Sequence, residues 1–539
     1  MKRHTGILIS AIVILLASCG RTNHDDRDNV YAESTLQYSL DVALRRRESI
    51  VKPDYTMLAS LADGRVPMRY GTLYRYMFPR RQPTYLAVDD AISDLWLFFE
   101  LMQGAYGGYV AFGGDEEFIP IFEQIEAYIL GQGSRSMSLF FGLDGIYISV
   151  ASLKILIHHH LNDVITDRHF SIGDFAFGST PYFMFASEDL TYDRRDNSFI
   201  NKETGQYLVS VEGHELTEIM KQHMDEEGHL FYMPIFYIDM TKYFAELEEA
   251  YMSYIDGLDE EVLLNYLSQQ ELQQAPSITP VQINFVYEDE EIIRVFEEKR
   301  FHHHSYERQL PTLENRYGIP VISVMYMGFG YSARGFAYEH VQPFLSFVDY
   351  IREEPVVIVD LRGNIGGNAR LPAMWIYELT GKIIYPNFVS LLAMEYTTHF
   401  PGDRPTSQKF QAARQPFENG YTISNTEPRK ILEREQIIIV LTDTQTSSAA
   451  EIFVDIIFNI SNTLVIGTPT SGTMTFDLTY PQLWLPHSGL SFGFGRTMHI
   501  WPEGHFAEGR GIEPDIWVWG DALAAALSLL RNAGIGDLD

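Results

Sequence analysis

Cysteine is almost absent from this chain: Cys19 is the only one in 539 residues. A lone thiol excludes a disulfide framework and a cysteine-based zinc site. Positive charge is scarce as well, with 40 Lys and Arg against 72 Asp and Glu and a formal net charge of −32. That balance argues against nucleic acid as a partner and reads as solubility. The apolar run at residues 6–16 is too short for a comfortable membrane span, and no other segment qualifies. No lysine follows Lys430, so an amine base cannot be drawn from the last part of the chain.

What is present at the N-terminus is an address. Met1-Lys-Arg-His4 is basic, the apolar run follows, and Leu16-Ala-Ser-Cys19 closes it. This looks like a bacterial lipoprotein signal at residues 1–19, with Cys19 as the lipidated first residue of the mature chain. Gly20 follows the cysteine instead of aspartate, so the expected place is the cell envelope, at the outer membrane, with the lipid on Cys19 as the contact to the bilayer. Residues 20–38, polar and carrying Asp25, Asp26 and Asp28 close together, read as a flexible tether.

Periodicity divides the remainder. Residues 39–169 are largely helical, with apolar stripes at 89–102, 118–130 and 142–161. Residues 170–310 change to short alternating runs such as 206–212 and 281–287, interrupted by a helical piece at 244–269. Residues 311–539 alternate strands and helices, as a sheet covered by helices does, and end in a helix at 521–531. The expected class is therefore α/β in a multidomain α+β chain: a helical N-terminal region, a strand-rich middle and a C-terminal α/β core. The runs His158-His159-His160 and His302-His303-His304 lack metal-site spacing, because consecutive side chains diverge around a helix or alternate across a strand. The many Tyr and Phe residues read as core packing, and no cofactor is expected.

Two turns carry chemistry. Residues 436–441 read as a buried strand, and 449–460 as a packed helix entered through Thr446-Ser447-Ser448. A serine there sits where free helix N–H groups and the positive dipole end favour a developing oxyanion, although such residues also serve simply as helix caps. Upstream, a β-branched strand ends in Asp360-Leu-Arg-Gly-Asn-Ile-Gly-Gly367, whose glycines let backbone N–H groups approach a ligand.

Taken in order, Asp360–Gly367, Thr444-Gln-Thr-Ser-Ser-Ala-Ala-Glu451, Gly467-Thr-Pro-Thr-Ser-Gly472, Leu485-Pro-His-Ser-Gly-Leu490 and Glu508-Gly-Arg-Gly-Ile-Glu-Pro-Asp515 resemble the S41 peptidase family. That family includes the C-terminal processing, or tail-specific, proteases and the tricorn protease. The resemblance is strong from about residue 317 onward and traceable to about residue 85. It implies a ClpP/crotonase-like core, a polypeptide substrate, Ser448 as nucleophile, and an oxyanion hole from Gly366 or Gly367 together with Ala449. In processing proteases a lysine acts as base; the aligned position here holds Thr473, so a Ser–Lys dyad is not expected. Tricorn protease and the chlamydial protease-like activity factor resemble this chain more closely at the site, through a Ser-His-Glu arrangement. Glu508 matches the glutamate. Asp167-Arg-His169 matches the Asp-x-His element of the activity factor and makes His169 the candidate base, whereas the tricorn position offers only Tyr326. Processing proteases also carry a PDZ domain between head and core; residues 207–216 look like a PDZ strand-turn-strand, without a clear carboxylate-binding loop, and a structural insertion is the other reading. Two functions remain open from sequence: a lipid-anchored serine peptidase, and a catalytically inactive lipoprotein that holds peptides or other ligands in the same cleft.

Overall fold

The computed structural model describes residues 24–54, 70–132, 147–239, 281–296, 310–327, 330–392, 415–478 and 482–536, with short breaks at 163, 174, 177–181, 187–189, 194–197, 289–290, 333–334, 338–341 and 417–421. Its main sheet has nine strands, ordered Thr312–Arg316, Ile319–Ser323, Val356–Asp360, Ile437–Thr442, Thr463–Gly467, Ile516–Trp517, Met220–Met224, Leu230–Asp239 and Tyr182–Ala186. The strands from Ile319–Ser323 to Ile516–Trp517 pair in parallel. Both faces are covered, which explains why the sequence of these strands is an almost unbroken Val/Ile/Leu run. Successive side chains point to opposite faces: Ile438 and Val440 join the cluster holding Trp375, Phe453 and Ile456, while Ile439 and Leu441 join the one holding Ala525, Leu529 and Leu530. Helices Arg370–Thr380 and Ala449–Ile457 therefore cover one face and Ala522–Asn532 the other, the α/β arrangement expected of the C-terminal part.

This topology brings the two motif turns together. Val356–Asp360 and Ile437–Thr442 are adjacent and in register, with Asp360 opposite Leu441. Both turns leave the same carboxyl edge of a parallel sheet, where open α/β sheets bind ligands.

The expected head helices are Val88–Ala105, Gly114–Gln132 and Val150–Asn162. Their core does not close on itself: Phe476, Leu485, Phe492 and Phe494 from the C-terminal part are built into it. Phe170 lies there too, 5.1 Å from Tyr106 and 5.9 Å from Phe494 between ring centroids. Residue 169 is thereby fixed beside C-terminal strands.

The middle region is divided between two sheets. Met220–Met224 pairs with Ile516–Trp517 through His223 opposite Trp517, and Glu513 fastens the junction by accepting from Lys221 Nζ at 2.6 Å and Tyr237 Oη at 2.8 Å. Tyr207–Val211, with His214–Glu215 folded back on it, belongs instead to a six-stranded sheet with Val281–Tyr287, Glu291–Phe296, Ser198–Asn201 and Leu190–Asp193. The helical piece expected at 244–269 lies outside the described residues.

One expectation needs correction. Residues expected to form a tether through Tyr38 are helical from His24, in a helix His24–Glu48. Leu36, Leu40 and Ala43 recur at helical spacing and bury against the sheet, and buried Arg47 ends the helix with a 2.7 Å bond to Asp515. The local charge that suggested a tether is outweighed by this apolar stripe. The signal segment and Cys19 lie outside the described residues, and among those described no helix is long and apolar enough to cross a membrane.

Candidate active site

The strand Ile437–Thr442 turns sharply before the helix Ala449–Ile457, and Ser448 occupies the helix N-cap at φ 54°, ψ −119°. A positive φ on a non-glycine residue stores strain and persists only where surrounding bonds over-determine it. Here they do. Thr446 Oγ1 donates to the Leu361 carbonyl at 3.0 Å, and Ser447 N–H donates to the Asn364 carbonyl at 2.8 Å. Ser448 N–H donates to Glu451 Oε2 at 2.8 Å and to Thr473 Oγ1 at 3.1 Å. Glu451 is fully buried and also accepts from Thr470 Oγ1, the backbone N–H groups of Gly472 and Thr473, and Thr473 Oγ1. Burial raises its pKa, and these donors offset only part of the rise. The residue that marks the motif in sequence is the hub that holds the turn.

The two glycines of the neighbouring turn are not equivalent. Gly366 is buried at φ 90°, and a Cβ there would lie 2.6 Å from Ser448 Cβ and 2.7 Å from the Ser447 carbonyl oxygen, so only glycine fits. Its N–H is committed to Asn364 Oδ1 at 2.8 Å. Gly367, at φ 140°, is exposed, and its N–H has no acceptor among the described residues. The same holds for Ala449 N–H at the start of the helix.

Asp167, Arg168 and His169 form a turn beyond the helix Val150–Asn162. His169 N–H donates to Asp167 Oδ1 at 2.8 Å, and Arg168 N–H donates to Glu508 Oε1 at 3.2 Å. The other Glu508 oxygen accepts Thr475 N–H at 2.9 Å. Arg168 Nη1 reaches Ser471 Oγ at 3.0 Å. Residues 471–477 thus run as one strap from Thr473, bonded to Ser448 N–H, past Thr475 to Phe476 and Asp477 beside His169. Burial lowers the His169 imidazole to about 4, and Asp477 is the carboxylate that pulls hardest in the opposite direction. Nδ1 of His169 is buried without a hydrogen-bond partner among the described residues.

The structure therefore gathers Ser448, Gly366, Gly367 and Ala449 where the two turns meet, and His169 with Glu508 around the strap that touches them. Among the described residues no hydrogen bond joins Ser448 to His169, or Glu508 to the imidazole. Asn364, Glu451 and Thr473 were visible as motif positions, but the bonds they make were not, because their neighbours are set by the fold; Asp477 lies in no motif and was missed. His158–His160 lie on the helix Val150–Asn162, with His160 Nδ1 3.0 Å from the Leu156 carbonyl. The other histidine run falls outside the described residues. No group of three metal-ligating side chains is found among those described.

Two buried carboxyls sit side by side here. Burial pushes Asp167 up to about 7, and burial together with Asp167 pushes Glu508 up to about 8. The folded chain then keeps protons that the unfolded chain releases from about pH 4 upward. Their stability contribution is full below that point, declines as pH rises through 7 to 8, and is flat beyond. Asp167→Asn keeps an acceptor for His169 N–H but no titrating proton. Melting temperatures measured from about pH 5 to 8 should accordingly fall less steeply for Asp167→Asn than for wild type; parallel curves would contradict the raised pKa.

The profile of peptidase family S41 matches residues 335–518, the segment that carries both motif turns. A comparison with curated proteins finds no match. Solved structures similar to the chain include mature CPAF complexed with lactacystin, at 12% identity over 83% of this chain and 98% of that one, with a TM-score of 0.41. A putative peptidase from Parabacteroides merdae is 13% identical over 82% and 96%, with a TM-score of 0.35. The tricorn protease is 14% identical over 83% and 37%, with a TM-score of 0.33.

Proposed function

We propose, from the match of residues 335–518 to the model of peptidase family S41, that the chain is a serine-type peptidase acting on polypeptides outside the cytoplasm, with Ser448 as nucleophile. One observation carries the reading: a strained serine at a helix N-cap, next to two backbone N–H groups, of Gly367 and Ala449, that have no acceptor among the described residues. Unspent donors are what an oxyanion site requires, and backbone strain of this kind clusters at functional sites.

In the proposed reaction, His169 takes the Ser448 proton as Oγ attacks the scissile carbonyl, and Gly367 and Ala449 N–H groups stabilise the oxyanion. The C–N bond then breaks, the imidazolium gives its proton to the leaving amine, and water hydrolyses the acyl ester by the same route. Asp477 supplies a carboxylate beside the imidazolium, and Glu508, held by Arg168 and Thr475 N–H groups, supplies a second once it ionises. No metal or cofactor enters this scheme. The sequence of residues 1–19 supports a lipid anchor on Cys19 in a bacterial cell envelope, at the outer membrane.

The second reading, an inactive scaffold that binds peptides, is favoured by the missing Ser448–His169 hydrogen bond. Catalytic hydrogen bonds are often long without substrate and tighten in the complex. A serine-directed phosphonate separates the two readings. Peptide mapping of the treated, folded protein should find the adduct on Ser448; an unmodified Ser448 with no cleavage of an unfolded protein favours the scaffold.

A further inference from the structure

Thr473 stands outside the proposed chemistry, yet it touches the nucleophile's own backbone. Its hydroxyl accepts Ser448 N–H at 3.1 Å and donates to Glu451 Oε2 at 3.0 Å. Its backbone N–H donates to the same carboxylate oxygen at 2.9 Å, and Ser448 N–H reaches that oxygen at 2.8 Å. One buried carboxylate oxygen and one hydroxyl therefore close a ring of hydrogen bonds around the amide of a residue at φ 54°.

We propose that Thr473 is a positioning residue: its hydroxyl, bridging Glu451 and the Ser448 amide, holds the strained backbone that presents Ser448 Oγ. The role rests on the reading of Ser448 as nucleophile. A hydroxyl suits it because the same oxygen gives one hydrogen bond and receives another; a methyl of equal size does neither. Without it, Glu451 loses one of its donors in a site where unmet polar groups are costly, and Ser448 N–H keeps only the carboxylate. The strap of residues 471–477 would then be tied to the turn less firmly. Because Thr473 precedes Thr475 and Phe476 on that strap, slack at Thr473 also loosens the side of the site where Glu508 and His169 lie.

The test compares wild type, Thr473→Val and Thr473→Ser as full chains, after melting curves have shown that each folds. Two independent readouts are taken: amide hydrogen exchange of the peptide spanning 444–451, and kcat and KM on an unfolded protein together with the rate of phosphonate labelling at Ser448. Valine should speed exchange and lower kcat and labelling by about tenfold each, the size of one lost hydrogen bond with its orphaned partner, while KM stays unchanged. Serine should restore both to within about twofold. If valine does not fold, Thr473→Ala, which leaves room for water, takes its place. Exchange and kcat equal to wild type in the apolar variant, or no rescue by serine, overturns the proposal. Should wild type neither turn over nor take up label, the peptidase reading fails by itself, and the exchange measurement alone decides whether Thr473 holds the turn.

Discussion

Ser448→Gly should yield a protein that is more stable than wild type and has lost its turnover. Glycine adopts positive φ without the penalty that a Cβ brings, and the strain released at a residue in such a region is on the order of 1–3 kcal/mol. Against that stands the extra freedom glycine gives the unfolded chain, about 0.4–1 kcal/mol, so a net gain near 1 kcal/mol is expected in denaturant unfolding. Turnover should drop by about 10⁴-fold or more, as when an acyl-transfer nucleophile is removed. Ser448→Ala is the control, since it loses the same hydroxyl but keeps the Cβ at φ 54° and should show the loss of rate without the gain in stability. The contrast separates function from capping. A serine kept only to cap the helix Ala449–Ile457 would lose stability on replacement by either residue. Equal stability of the glycine and alanine variants would mean that no strain is stored, and turnover surviving in both would remove Ser448 from the chemistry.

What the sequence made legible follows from which contacts are local. The turn at Thr446–Ser448 could be read because strand, turn and helix are consecutive and each has its own periodicity. The glycine-rich turn after Val356–Asp360 could be read for the same reason, but which of Gly366 and Gly367 has its N–H committed within the turn could not. It depends on Asn364 Oδ1 folding back to take the Gly366 N–H, a two-residue contact that composition does not specify. The division into head, middle and core was visible as a change of period, whereas its breach was not. Met220–Met224 enters the main sheet through one paired position with a two-residue strand near the C-terminus, and the head's core is completed by Phe476, Phe492 and Phe494. Both are non-local pairings carried by short segments with no pattern of their own. The helix His24–Glu48 was hidden by the charge around Asp25 to Asp28, because its stability comes from Leu36, Leu40 and Ala43 packing on a surface made elsewhere. Asp477 escaped notice because it is a lone acid on a short strand, and only the convergence of Phe476 and His169 gives it an imidazole to act on.

His169→Gln is expected to lower kcat by about 10⁴-fold or more with KM little changed, since in the proposed reaction the imidazole acts in the transition state and glutamine cannot take the proton. The wild-type pH profile tests the same assignment from another side. A free imidazole titrates near 6.5, but burial lowers His169 to about 4. The general base must be unprotonated, so kcat/KM should stay free of a histidine limb down to about pH 5 and fall only around 4. A titration in the neutral range then belongs to the carboxyl pair Asp167 and Glu508, raised to about 7 and about 8. If ionised carboxylates are what stabilise the imidazolium, kcat rises with pH through that window, and the rise is reduced in Asp167→Asn. The depressed imidazole makes a weak base in the resting site. In the proposed reaction its affinity for the proton has to increase at the transition state, and ionised carboxylates around it would supply that increase. An acid limb at about 6.5 in wild type would mean an exposed histidine in place of the buried one, and a His169→Gln variant within about tenfold of wild type would take the base away from the Asp-x-His turn altogether.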